Sequence, residues 1–118
     1  MSSILQTESK TLAKDIVLIC RQLQLQQKEY TLTDQLLRCG TSVGANLYEA
    51  NYAQSRKDFI SKLEIALKEC YETQYWLELL KDTQLIREEE FQTLHTSCGS
   101  IRRKLIAAIR TAKQNAAP

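Results

Sequence analysis

Apolar residues recur along this chain at steps of three and four, in four successive stretches. In the first, Leu5, Leu12, Ile16, Ile19 and Leu23 mark one face, with a gap at Ser9, the spacing of an amphipathic helix that turns its stripe to a core. The run Ile16-Val17-Leu18-Ile19 taken alone also fits a buried strand, but the stretches Lys10 to Lys14 before it and Arg21 to Gln27 after it favour helix. A second stripe runs Leu36, Gly40, Val43, Leu47 and Ala50, preceded by Thr31 or Thr33 as a cap and by Asp34 near the positive end of the helix dipole. The third, Phe59, Leu63, Ala66, Cys70, Thr73, Leu77 and Leu80, alternates steps of four and three, the spacing of bundle packing. Ser55 with Asp58 three residues on resembles a capping box with Asp in place of Glu, so the chain reverses there with almost no loop. After a short turn near Thr83 to Leu85, the fourth stripe is Phe91, Leu94, Cys98, Ile101, Leu105, Ala108 and Ala112. Ile86 and Phe91 are placed to staple its start, and Glu88-Glu89-Glu90 sit at its positive end.

These stripes predict helices over about residues 4–27, 32–53, 55–83 and 87–115. Joined by short connections, they give an all-α fold, an antiparallel up-down-up-down four-helix bundle in a single domain spanning residues 1–118. Composition strengthens that reading. The 118 residues include three glycines and one proline, and the proline is the last residue, so nothing interrupts helix along the chain. Gly40, Ser42, Gly44, Ala45 and Ala50 make the second helix weak by itself, at up to about 1 kcal/mol per glycine, which makes sense if a neighbouring helix packs very close.

Two sets of residues do not fit a single core stripe. On the third helix Ile65, Trp76 and Leu79 lie off the seam and, with Ile60, Leu67, Tyr71 and Tyr75, spread apolar surface around the helix. That excess suggests a self-association interface built from Ile65, Trp76 and Leu79, or a central helix touching two neighbours. On the second helix Arg38, Ser42, Asn46 and Glu49 form a polar stripe. If the third helix covers it, it reads as a buried or half-buried hydrogen-bond ladder that fixes register, with a functional groove as the alternative.

Sixteen basic and fourteen acidic residues leave a net charge of +2, too small to assign nucleic acid from charge alone. No window approaches the length of a membrane span and the first ten residues lack a signal-peptide core, so the expectation is a cytoplasmic protein with no membrane partner. The charge is nevertheless uneven. No acidic residue follows Glu90, whereas Arg102, Arg103, Lys104, Arg110 and Lys113 crowd the second half of the fourth helix. Cations complement the negative end of a helix dipole, and the same five form a candidate phosphate-binding patch. Arg103 and Arg110 share one face, Arg102 and Lys113 lie on a second, and no stacking aromatic accompanies them in the sequence.

Catalytic and metal readings are weaker. Glu49, Asp58, Glu64, Glu69 and Glu72 read as caps and salt-bridged faces, for instance Glu72 with Lys68, and no acid and base pair stands out, so no enzyme and no catalytic residue are expected. A di-iron site needs Glu-x-x-His repeats on facing helices, but the chain has one histidine, His95, read as a surface or boundary residue. Cys20, Cys39, Cys70 and Cys98 fall one on each predicted helix, and reflection through the three turns brings them to one level. Cys20 and Cys39 sit beside their stripes and no Cys-x-x-Cys pair occurs, so the expectation is a small-residue core layer with no metal and no cofactor, against the alternative of a four-thiolate zinc layer.

Arg38, the segment Ser42 to Asn46, Glu49-Ala50, Ser55, Asp58-Phe59 and the segment from Lys68-Glu69 to Trp76-Leu77 resemble the bacterial four-helix-bundle family of 23S ribosomal RNA intervening-sequence proteins, which is also similar to the accessory variability proteins of diversity-generating retroelements. The likeness runs from about Leu12 to Lys113. Many members carry Ile-Ala-Glu-Gly where this chain has Leu47-Tyr48-Glu49-Ala50, so the chain resembles a subgroup with a longer continuous second helix. The resemblance implies a ring-like homopentamer, association with RNA or DNA through the fourth-helix cations, and a reverse transcriptase or other protein as partner. It implies no known catalytic activity. Two function classes follow: a nucleic-acid or ribonucleoprotein accessory factor, and a protein-interaction scaffold that ignores nucleic acid.

Overall fold

A computed structural model describes residues 3–116. They form α1 (Ser3–Gln27), α2 (Thr31–Ala50), α3 (Arg56–Asp82) and α4 (Glu88–Ala116), with no strand among the described residues. Each helix packs against its neighbours in sequence, and the ring closes where α4 meets α1. Short connections between neighbours make this an up-down-up-down bundle, a rod of 53 × 22 × 20 Å. The expected strand alternative at Ile16 to Ile19 is absent, since that run lies inside α1. No described helix is long and apolar enough to cross a membrane.

The core is built from the four stripes. Leu12, Ile16, Leu36, Leu47, Leu63, Leu77, Leu80, Ile101 and Leu105 are fully buried, so most of the apolar surface that drives folding comes from positions the periodicity marks. The departures are local. Ser9 fills the gap in the α1 stripe and is itself buried, its hydroxyl donating to the Gln6 carbonyl at 2.9 Å. Phe59 and Ala108 are half-buried, and Ile109 takes the inward position beside Ala108. Cys20 and Cys39, expected beside their stripes, are completely buried.

The turns correct two expectations. Neither Thr31 nor Thr33 caps α2: both lie within its first turn, and the Glu29 carboxylate accepts from the Leu32 N–H at 3.1 Å instead. Thr33 is buried and accepts from the Gln24 side chain at 2.9 Å, which ties α1 to the start of α2. α2 runs continuously through Leu47-Tyr48-Glu49-Ala50 and ends at Ala50 rather than about residue 53. There the N–H groups of Asn51, Tyr52 and Ala53 reach carbonyls only three residues back, a tightened final turn that the chain leaves before residue 55. The Ser55 box does form: the Asp58 N–H donates to Ser55 Oγ at 3.0 Å, while the Asp58 carboxylate accepts from Gln54 at 3.2 Å, one residue earlier than in the standard arrangement.

The other two helix ends close without glycine. Lys28 and Gln84 adopt φ of 53° and 63°, and the following N–H groups fold back, Glu29 to Leu23 at 3.4 Å and Leu85 to Leu80 at 2.9 Å. These are left-handed helix stops, which non-glycine residues occupy at a cost of about 1 kcal/mol. Buried Ile86 and Phe91 then flank the start of α4, where Glu90 accepts from the Arg87 N–H at 3.0 Å.

Close approach explains the small residues of α2. A Cβ on Gly40 would lie 2.5 Å from Ile16 Cδ1, and one on Gly44 would lie 3.3 Å from Ser9 Oγ and 3.5 Å from the Ser9 carbonyl oxygen. α1 therefore rides directly on the α2 backbone. Of the same small-residue set, Ser42 is half-buried and bonds back within α2, while Ala45 is exposed along the open groove between α1 and α2.

Candidate nucleic-acid interface

The basic half of α4 distributes its five cations unequally. Lys104 forms an ion pair with Glu8 of α1, and Lys113 pairs with Glu64 of α3 at 3.0 Å. Arg102 lies over the Tyr71 ring, 5.9 Å from its centroid. Arg103 and Arg110 carry no ion pair among the described residues and are exposed. At 1.5 Å rise per residue they stand about 10 Å apart on one shoulder of α4. The sequence pairing of Arg103 with Arg110 thus survives, whereas Lys104 and Lys113 are partly occupied in clasping α4 to its neighbours.

Glycine inside α4 adds to this picture. The positions that a Gly99 Cβ would fill are 3.3 Å from Arg103 Nη1 and 3.9 Å from Arg102 Nη2, and Gly99 is buried beneath them. Two guanidinium groups therefore converge over one bare segment of helix. Neither forms an ion pair among the described residues, but Arg102 lies over the Tyr71 ring and Arg103 is close enough to Glu8 to help hold that carboxyl below its ordinary value.

Aromatic rings do accompany the cations, contrary to the sequence expectation, because they come from α3. Tyr71 and Tyr75 are 49% and 60% exposed. With Gln74, Glu78, His95 and Arg102 they line an open groove of about 330 Å³ between α3 and α4. His95 stacks on Phe91 at 4.8 Å and its Nε2 lies 3.3 Å from Glu78, so it is the boundary residue the sequence suggested. The reflection about Gln84 that aligns Cys70 with Cys98 brings Tyr71 level with Ser97, so the meeting of Tyr71 with Arg102, more than a turn further along α4, was not legible from the turn and depends on the reach of the arginine side chain. A larger groove of about 480 Å³ runs between α1 and α2, but it is floored by Ser9, Ala13, Gly44 and Ala45 and gathers one charge, Lys10.

The Lys104 clasp yields a pH prediction. Glu8 accepts from Lys104 and, at 2.7 Å, from Ser100, and the Lys104 contact chiefly holds its carboxyl below the ordinary 4.5. A lowered folded-state value means that the ionised form favours folding. The contribution is complete above about pH 4.5 and is lost as pH falls through the folded-state value. Glu8→Gln is therefore expected to be less stable than the parent at pH 7 and to lose less stability on acidification below pH 4.5. Parallel urea titrations at pH 7 and pH 3.5 measure this; equal acid sensitivity would remove Glu8 from the account.

The polar stripe of α2 is more open than a buried ladder. Arg38 and Glu49 are exposed, whereas Ser42 and Asn46 are half-buried. Ser42 and Asn46 bond back to carbonyls of α2 itself, at 2.6 and 2.8 Å. The links to α3 come from the two ends: Arg38 meets Glu72 and, at 3.3 Å, Glu69, while Glu49 meets Lys62 at 3.0 Å. Glu72 does not pair with Lys68; it accepts from Arg38 and from the Trp76 indole at 2.9 Å. Trp76 is half-buried against the core, Leu79 is half-buried, and Ile65 is 40% exposed. The polar stripe and the candidate association face are thus joined through Glu72.

All four cysteines are free and fully buried. Cys70 Sγ donates to the Cys98 carbonyl at 3.3 Å, so those two are level as the reflection implied. Burial pushes the Cys20 thiol up to about 12 and raises Cys39, while the neighbouring Cys70 thiol, followed by burial, raises Cys98. No group of three or more His, Cys, Asp or Glu among the described residues is arranged to hold a metal ion. The layer packs as small hydrophobes.

Residues 2–107 match the family described as 23S rRNA-intervening sequence protein. A solved structure, a protein of unknown function from the S23 ribosomal protein family of Bacteroides thetaiotaomicron, is 46% identical, with a TM-score of 0.87 over 89% of this chain and 97% of that one. No curated protein matches the chain.

Proposed function

Because the chain belongs to the 23S rRNA-intervening sequence protein family, we propose that it is a non-enzymatic, homo-oligomeric accessory protein that binds nucleic acid through the outer shoulder of α4. The observation that carries this reading is the pair Arg103 and Arg110, exposed and without ion-pair partners among the described residues, flanked by Arg102. Charges left unpaired on one shoulder are available to phosphate, and each phosphate neutralised releases condensed counterions. The family description, which names a ribosomal RNA element, supports the same class of partner.

A single copy with a net charge of +2 offers little attraction. Self-association gathers several α4 shoulders into one surface, and the side of α3 that carries Ile65, Trp76 and Leu79 is the proposed contact. Ile65 supplies exposed apolar surface there, and Trp76 is held by Glu72. A ring of five copies follows the family resemblance.

Fluorescence anisotropy with a structured RNA and a duplex DNA, over a salt series and on protein of known solution mass, tests the reading. Saturable binding that weakens steeply with salt is expected. Arg103→Glu with Arg110→Glu is expected to abolish binding at about 150 mM salt while leaving the solution mass unchanged. No binding by the parent protein at low salt would overturn the proposal and leave a scaffold that recognises another protein.

A further inference from the structure

We infer that the α3–α4 groove is a site for an unpaired nucleotide, its phosphate held by Arg102 and Arg103 over Gly99 and its base stacked on the exposed rings of Tyr71 and Tyr75. The inference rests on the nucleic-acid reading above and specifies it: the preferred form is single-stranded.

Three observations carry it. First, two guanidinium groups converge on the same bare point of α4, 3.3 and 3.9 Å from where a Gly99 side chain would start. Guanidinium matches phosphate with fixed, forked donors, and a missing Cβ leaves room for an oxyanion between them. Second, the groove wall opposite carries two tyrosines with much of their surface in solvent, 49% and 60% exposed. One is already in contact with a cation, since Arg102 lies 5.9 Å from the Tyr71 centroid. Rings with a free face bind any base by stacking, and an adjacent arginine both stacks and neutralises the phosphate. Third, Tyr75 is braced by Trp76, edge-on at 5.1 Å, so its ring is oriented before a ligand arrives. The acidic group on the rim, Glu78, faces His95 at 3.3 Å and stands beyond the tyrosines from the arginine pair.

A duplex keeps its base faces internal, so it can reach the cations but not the rings. The groove therefore separates single strands from duplexes, whereas the outer pair of Arg103 and Arg110 binds both. The 330 Å³ opening is at the small end of ligand sites, the size of one nucleotide rather than a helix.

The probes are fluorescein-labelled 12-mers of oligouridylate and oligothymidylate and a 20-base-pair duplex, measured by anisotropy at one salt concentration on the full chain. Tyr71→Ala and Tyr75→Ala are each expected to weaken single-strand binding about 10-fold or more with little change on the duplex, and the Tyr→Phe variants to restore it. Equal loss for both 12-mers identifies the shared base and phosphate as the ligand; loss confined to oligouridylate narrows it to RNA. Gly99→Ala gives a second, opposite-signed readout: it should raise the melting temperature, because alanine favours helix, yet weaken single-strand binding because its methyl fills the point between the guanidinium groups and pushes that of Arg103, 3.3 Å away, aside. Tyr48→Ala, on α2 and remote from the groove, serves as the control. Wild-type single-strand affinity in both tyrosine-to-alanine variants, with Arg103→Glu still defective, would overturn the groove and leave the α4 reading standing. Failure of the parent to bind any probe overturns both.

Discussion

Truncating Leu77 to alanine is expected to lower stability by about 2–5 kcal/mol. Leu77 is fully buried on the stripe of α3, the helix that packs against both α2 and α4. Removing its isobutyl group forfeits transfer free energy and leaves a cavity between rigid helices that collapse only in part. A domain of this size is stable by about 5–15 kcal/mol, so the variant still folds, but its melting temperature should fall by roughly 10–20 °C. Urea titration followed by helical circular dichroism measures the loss. Leu25→Ala is the companion control: at 81% exposure its side chain is in water in both states, and a change within about 0.5 kcal/mol is expected. Equal midpoints for the two variants would contradict the core described above.

Gly40→Leu is expected to cost at least about 3 kcal/mol, at the upper end of overpacking penalties. Even the first carbon of the new side chain would fall 2.5 Å from Ile16 Cδ1, so a leucine has no volume to occupy unless α1 lifts off α2. Gly40→Ala is a finer probe. It gains up to about 1 kcal/mol of helix propensity and loses a similar amount by displacing the tip of Ile16, so a near-neutral result is expected. Ile16→Val removes the offending Cδ1 and leaves the nearest contact at 3.2 Å. In that background Gly40→Ala should be stabilising, with a coupling of about 1 kcal/mol in the double-mutant cycle. Additive effects would mean that the two helices are not in the close contact described.

Much of this was readable from the order of residues. The positions buried in α1 and α3 follow the steps of three and four from Leu5 to Leu23 and from Leu63 to Leu80, because a helix of 3.6 residues per turn brings such positions to one face whatever surrounds it. The Ser55 and Asp58 cap was likewise legible, since it is local and needs no partner from elsewhere. Expectations failed where a local preference met a tertiary alternative. Thr33 has the chemistry of a cap, but it is drawn into the core to meet Gln24, so Glu29 caps instead. Glu72 has a lysine at helical spacing, but Arg38 and Trp76 reach it from positions that fit its geometry better.

The candidate site divides the same way. Arg103 and Arg110 could be paired by counting along α4, because a spacing of seven returns to one face. That Lys104 and Lys113 are engaged by Glu8 and Glu64, and that Arg102 meets Tyr71, depends on which helix lies beside which and at what height.

By itself, then, the sequence determined four amphipathic helices, their stripes, and a basic final helix, since period and composition are properties of a helix in isolation. Only the tertiary structure decided which cations stay free and that tyrosines from α3 face them, because each of these is a contact between residues on different helices whose distance is set by packing rather than by position in the chain.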